Sequence, residues 1–438
     1  MKTKVLPVIL SLVMAITMGL KSKLYVSAVN VKGSMVDEQG VAFTLYDDGT
    51  ATVLGPIDRP AYGTKFVIPA EINGYRVTEI ANSAFDGGMI VEISPLNNIE
   101  IIGKRAFNRC IIPAGETILD HLKEIGGEAF LECSFSGKKT ENDGVKLDGD
   151  DTDHLSEFGT IDISKSSLTT LGYKTFSYCR GLREVRLPEN LSNLNCAFKY
   201  CFDLENLDIP AGVTKLNEFE FFNCEYLRLD KLPPNLTEIG ECAFGDCMCL
   251  RFQELPASVN KIGKDAFNGV RMEKLTLPYG LTEIPAGAFM NAHMNLVNIP
   301  ITIESIGSSA FSNSDITSIN CEAGSGIVNL PNGVKSIGKS AFEDCEGIKS
   351  INIPSSVSEI GERAFANCIN LTAINALIDS GIINLPSGVE SIGKSAFGGC
   401  EGIELINIPN SVSETKKRAF AGCLDLTEPG LLLEGDDD

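Results

Sequence analysis

A small residue followed by Phe recurs along almost the whole chain, and its spacing limits the fold more than any other feature. The anchors are Phe85, Phe107, Phe130, Phe176, Phe198, Phe221, Phe244, Phe267, Phe289, Phe311, Phe342, Phe365, Phe397 and Phe420, most of them 22 or 23 residues apart. The gap from Phe130 to Phe176 is 46, which reads as two units. The gaps of 31 and 32 carry an insertion of about nine residues. Thr175 and Glu220 replace the small residue in two copies. A fixed period of this length is the mark of a stacked repeat.

Around each anchor the unit reads Leu-Pro-x-x-Val-x-x-Ile-Gly-x-x-Ala-Phe-x-x-Cys-x-x-Leu-x-x-Ile-x-Ile-Pro, seen well in Pro354, Val357, Ile360, Gly361, Ala364, Phe365, Cys368, Leu371 and Ile374. Alternate apolar residues at its end predict a short strand with one face buried. Pro closes that strand because it cannot donate to a ladder. Ile-Gly then turns the chain, and Ala-Phe sits in a short helical or 3-10 turn with Phe inside. One unit cannot bury its apolar side alone, so neighbouring copies must share a continuous core. Residues 326–368 also match 381–423 at a shift of 55, as a duplicated two-unit block would.

These motifs resemble the BspA-like leucine-rich repeats of bacterial and protozoan surface proteins, over about residues 65–425. The resemblance implies a secreted or surface-displayed binding protein. The expected fold class is therefore an α/β repeat solenoid: a leucine-rich-repeat arc of about 13 units, with short parallel strands and short helical or 3-10 turns. Val41–Tyr46 and Thr50–Leu54 flank Asp47-Asp48-Gly49, a hairpin signal. Residues 29–64 are expected to form an N-terminal β-hairpin cap over the open end of the stack.

Residues 1–28 look like a signal peptide. Lys2 and Lys4 precede an apolar run from Val5 to Leu20, and Val26-Ser27-Ala28 offers a cleavage site. Lys21 and Lys23 interrupt that pattern, so an uncleaved anchor is the alternative. No later run is long enough to span a membrane. Residues 136–158 form an acidic insertion, and 426–438 an acidic tail. Asp148 to Asp153 carries carboxylates at calcium-like spacing, but Asp153 stands where a calcium loop needs Gly, which favours a solvated loop.

The 438 residues exceed what one compact core usually holds, which again favours repetition. A formal charge of −21 with no basic stripe argues against a nucleic-acid partner. Three histidines, no phosphate loop, no Gly-x-Ser-x-Gly elbow and no His-Glu-x-x-His give no opening for an enzyme, a cofactor or a metal. Ten of the 14 cysteines hold the slot three after Phe: Cys110, Cys133, Cys179, Cys201, Cys224, Cys247, Cys345, Cys368, Cys400 and Cys423. Equivalent side chains in stacked units point in parallel, whereas a disulfide needs converging Cβ atoms. A column of free thiols filling space is expected, with disulfides as the alternative.

Function is expected where side chains leave the strand outward, on either side of the middle Ile. One such row holds Lys231, Glu254, Thr276, Asn298, Asn320, Asn352, Asn375 and Asn407; the other holds Leu229, Phe252, Lys274, Leu296 and Leu405. Leu229 and Phe252, flanked by Lys231 and Glu254, form either a protein-binding patch or a slip in strand register. Asp230 and Gln253 occupy the slot meant for Ile, as a slip requires. The Asn run is either a surface ladder or a contact for carbohydrate or peptide. The expected partner is a protein held on the concave face, by Lys274, Leu296 and the Asn row together with the patch. A structural spacer and a glycan-binding module are the alternatives.

Overall fold

The computed structural model describes residues 30–92, 98–136 and 158–423. The signal-like segment, the calcium candidate with nearly all of the acidic insertion, and the acidic tail lie outside these residues.

Val31–Val36 (β1), Val41–Tyr46 (β2) and Thr50–Pro56 (β3) form an antiparallel meander. The expected hairpin is its second half, turning through Gly49 at φ 81°. β3 then pairs in parallel with Tyr75–Ile80, so the cap's last strand is also the first rung of the stack. This hides one sheet edge that would otherwise be open to pairing.

A regular coil contributes a front strand from Leu-x-x-Ile-x-Ile, a two-residue rear strand ending in the Ile before Gly, and the Ala-Phe turn. Rear strands such as Glu238–Ile239 and Lys261–Ile262 pair in parallel. Fifteen phenyl rings, Phe66 and the fourteen anchors, stack along the interior with neighbouring centroids 5.0–5.9 Å apart. Phe130 stacks directly on Phe176 at 5.5 Å. The 46-residue gap is thus one coil carrying a long insertion, not two units.

The expected helical or 3-10 turns are not found: among the described residues there is no helix. The Phe107 turn shows why. The N–H groups of Ala106, Asn108 and Cys110 donate within the turn, to Gly103, Arg105 and Phe107. Those of Arg105, Phe107 and Arg109 donate to Gly127, Ala129 and Leu131 of the next coil. Arg105 and Arg109 take left-handed φ of 56° and 61°. Every second donor leaves the turn, so no i→i−4 ladder can start. The architecture is a β-solenoid.

The recurring Ile-Gly step also has a different cause from the one expected. Gly263 has no left-handed φ; a Cβ on it would lie 2.4 Å from the Glu241 nitrogen and 2.5 Å from the Gly240 carbonyl carbon. Glycine is needed there because adjacent coils approach backbone to backbone.

The nine-residue insertions form extra rungs of the front sheet. Ile319 pairs with Val328, and Ile374 with Ile383, each in parallel. The front sheet from Arg271–Thr276 to Leu405–Asn407 therefore has eight strands, where the matching rear sheet has six. At about 4.8 Å per strand the front is longer by about 10 Å.

Candidate functional site

The two outward rows behave differently along the stack. Early on they are ion-paired: Arg186 meets Glu184 at 2.9 Å, Asp162 at 3.2 Å, and also Glu116. Asp162 is held below the usual carboxylate range: burial works against this, but Ser164 and Arg186 hydrogen bonds outweigh it.

Leu229 and Phe252 do not face outward. They are 2% and 3% exposed, and Phe252 packs on Phe244 with centroids 5.6 Å apart. The polar Asp230 and Gln253 cannot fill the inner slot, so the preceding residue turns in instead. Both the Arg251 and Phe252 N–H groups then donate to the Leu229 carbonyl, at 3.0 and 2.9 Å. The regular front ladder lapses for these two coils. The exposed-patch expectation is corrected to a register slip, which leaves Lys231 and Glu254 exposed without their apolar partners.

Order returns at Arg271–Thr276 and His293–Asn298, where Lys274 faces Leu296 and Thr276 faces Asn298. Lys274, Leu296 and Asn298 are half-buried on the front. The Asn run divides into two kinds. Asn352 donates to Asn329, and Asn407 to the Asn384 side-chain oxygen at 2.6 Å. These form a side-chain ladder. Asn320 and Asn375 have φ of 51° and 48° and serve the backbone at the start of each extra rung. Asn320 accepts from the Ile299 N–H at 2.8 Å, and Asn375 from that of Ile353 at 2.9 Å. Asn329 and Asn384 belong to the ladder but escaped the sequence pattern, because the inserted rungs carrying them have no anchor Phe.

Beside the start of the first extra rung lies an open groove of about 500 Å³, lined by Thr276, Leu277, Tyr279, Asn298, Ile299, Pro300, Asn320 and Cys321. On its rim Tyr279 is 74% exposed, and the nearby Ile301 is 75% exposed. Each follows the strand-closing Pro, a position taken elsewhere by Glu189, Ala211, Pro234, Ala257, Asn332, Ser355, Ser387 and Asn410. Aligning the copies on Pro would have found them; aligning on the strand did not. A pair of large apolar side chains beside a polar floor can seat a protein side chain and exclude water around it.

The thiol column is free of disulfides, as the parallel geometry requires. Each thiol also donates to the carbonyl of the Phe one coil back, for example Cys201 to Phe176 and Cys345 to Phe311, both at 3.0 Å. The slot therefore selects a small donor as well as a small volume. Burial pushes the Cys201 and Cys345 thiols up to about 12. Thiolate is the reactive form, so column cysteines in the native protein should resist iodoacetamide near neutral pH and react only once urea is added. Native labelling of Cys201 or Cys345, read by mass spectrometry, would refute this packing.

Glu241, Cys242 and Asp265 place three ligand atoms within 4.8 Å of one another. The Cys242 thiol is pushed up to about 11 by burial and then by Asp265 and Glu241, which opposes a thiolate ligand.

The sequence profile of the BspA type leucine rich repeat region matches in six copies, over residues 78–194, 153–270, 229–329, 260–376 and 379–431. No curated protein matches the chain. Among solved structures, a leucine rich cell surface protein from Faecalibacterium prausnitzii is 22% identical, with 92% of this chain and 100% of that one covered and a TM-score of 0.47. A leucine-rich repeat protein from Eubacterium ventriosum is 18% identical over 92% of this chain and 99% of its own, with a TM-score of 0.44. The pneumococcal vaccine antigen PcpA is 16% identical over 88% and 87%, with a TM-score of 0.41. No helix among the described residues is long and apolar enough to cross a membrane.

Proposed function

Because the chain belongs to the BspA-type leucine-rich repeat family, we propose that it is a secreted or surface-displayed recognition protein that holds a protein partner at the front groove. The observation that carries this is the exposed Tyr279–Ile301 pair on a groove floored by Thr276, Asn298 and Asn320. Exposed apolar side chains gathered on neighbouring coils, rather than scattered singly, mark an interaction site. Lys274 and Leu296, on the strands that enter the groove, extend the contact surface, with Lys231 and Glu254 on the coils before it. No catalytic step or cofactor is part of this function.

Glycan recognition along the Asn row is less favoured, since Asn329, Asn352, Asn384 and Asn407 already spend amide groups on one another. A spacer role would not need the two rim residues at all. The test is retention of the full chain on immobilised extracellular-matrix proteins, with Tyr279→Ala and Ile301→Ser combined. Loss of a tyrosine anchor typically costs about 2 kcal/mol or more, so the double variant should bind at least about tenfold more weakly with an unchanged urea midpoint. Equal binding would place the site elsewhere. No retention of the wild type on any matrix protein would favour the spacer.

A further inference from the structure

On the turn edge of the coils anchored by Phe176, Phe198 and Phe221, aromatic residues replace polar ones. The position two after the anchor holds Arg109, Glu132, Asn223, Asp246, Asn291 and Asn313 in other coils, but Tyr178 and Tyr200 here. Phe219 holds the position two before its anchor, filled elsewhere by residues such as Ser83, Asp265 and Ser309. All three aromatics sit at left-handed φ: 61°, 60° and 58°. That conformation suits Gly, Asn and Asp, and is a rare place for a bulky side chain. Local backbone preference therefore does not explain these residues.

They touch one another. Tyr178 stacks on Tyr200 at 4.5 Å, Tyr200 meets Phe222 edge-on at 5.3 Å, and Phe222 meets Phe219 at 5.6 Å. Tyr173 and Tyr178 remain 55% and 40% exposed. Lys174 lies over the Tyr173 ring, and Lys199 lies 4.0 Å from the Phe219 centroid. Two of the nearby carboxylates are engaged elsewhere: Glu132 pairs with Arg109 at 2.7 Å, and Glu220 is buried on backbone amides; Glu218, next to Phe219, is exposed. Burial and Lys174 lower the pKa of Lys199, as a cation lacking a carboxylate partner would show.

We propose that this strip is a second docking surface, separate from the front groove, for an acidic peptide segment of a partner protein. Its aromatic residues would lie on the Tyr173–Tyr178–Tyr200 edge, and a carboxylate would reach Lys174 and Lys199. Aromatic rings and desolvated charge pairs are the usual anchors of such contacts. The chain's net negative charge acts against an acidic partner only at long range. At physiological salt that repulsion is screened beyond about 8 Å, so the local lysines decide.

The left-handed φ supplies a clean test. Asn is at least as comfortable there as Tyr, so Tyr178→Asn with Tyr200→Asn should leave the urea midpoint of the full chain unchanged or higher. Binding of a fluorescein-labelled peptide of alternating Glu and Tyr would be followed by anisotropy at physiological salt, beside Glu/Ala and Lys/Tyr counterparts. Wild type should bind the Glu/Tyr peptide at least about tenfold better than either counterpart. The double Asn variant, and separately Lys174→Gln with Lys199→Gln, should each lose that preference, while Tyr279→Ala should not. No binding of the Glu/Tyr peptide, or equal binding by the Asn variant, overturns the proposal. So does heparin retention that depends on the lysines alone, which would indicate a polyanion site instead.

Discussion

Replacing Glu220 by Ala is expected to destabilise the chain by about 3 kcal/mol or more, because it orphans backbone donors in the coil next door. The Phe198 coil is one residue short: Leu194-Asn195-Cys196-Ala197 stands where a regular coil has Ile262-Gly263-Lys264-Asp265-Ala266. Asn195 and Cys196 are both driven to left-handed φ, 55° and 58°. The shortened turn leaves amide groups facing the following coil. Glu220, fully buried in the slot usually held by Ala, accepts from the N–H groups of Cys196 at 3.1 Å and Ala197 at 3.0 Å, and from the Asn217 side chain at 2.9 Å. Glu220→Gln keeps one acceptor oxygen and should lose less. Burial raises the carboxyl pKa despite the donors around it. The folded chain therefore binds this proton more tightly than the unfolded chain. Its stabilising share is full below the unfolded pKa and declines as pH rises through the folded one. Wild type should accordingly lose more stability than the Gln variant between acid and neutral pH, as read by urea titration.

The second large effect is expected at the middle of the ring stack. Phe267 is fully buried, with neighbouring rings at 5.5 and 5.6 Å. Phe267→Ala should cost about 3–5 kcal/mol, as large-to-small core changes do. In a stack whose stability is shared between neighbours, a defect there weakens two interfaces. Phe420 has one ring neighbour, at 5.4 Å, among the described residues, so Phe420→Ala should cost clearly less. Urea titration followed by circular dichroism distinguishes the two sites. Equal losses would mean that the rings do not form one cooperative column.

Much of this fold was legible because its cause is periodic. The Phe spacing, the alternation in Leu-x-x-Ile-x-Ile and the parallel thiol geometry each follow from one coil stacking on the next. What escaped the sequence lies where coils depart from the period. Phe130 and Phe176 are 46 residues apart yet adjacent, since a loop of any length can leave a coil without displacing the next ring. At Leu229 and Phe252 the period alone left two readings open; Asp230 and Gln253 in the Ile slot pointed to the slip that their burial shows. The turns read as helical because left-handed φ is hard to see in a sequence when residues such as Arg105, Glu132 and Lys174 adopt it beside the Asn positions. Glu220 looked like an imperfect anchor and is a repair for a deletion one coil away. Of the expected front residues, Asn298 and Asn320 line the groove, with Lys274 and Leu296 on the strands that enter it. Tyr279 and Ile301 were missed because they lie past the Pro, outside the strand.

The most direct test uses the two extra rungs, which are alike in length and differ in position. Deleting residues 320–328 joins Ile319 to Asn329 and restores an uninterrupted Ile-x-Leu-Pro ending; deleting 375–383 joins Ile374 to Asn384 with the same result. Both deletions shorten the front sheet by one strand and leave every ring of the Phe column in place. The first removes the Asn320 and Cys321 wall of the groove, whereas the second lies beyond it. Retention on the matrix protein bound by wild type should be lost with the 320–328 deletion and kept with the 375–383 deletion. Equal loss from both would show that length or curvature matters rather than a site, and equal retention would show that the front groove is not where the partner binds.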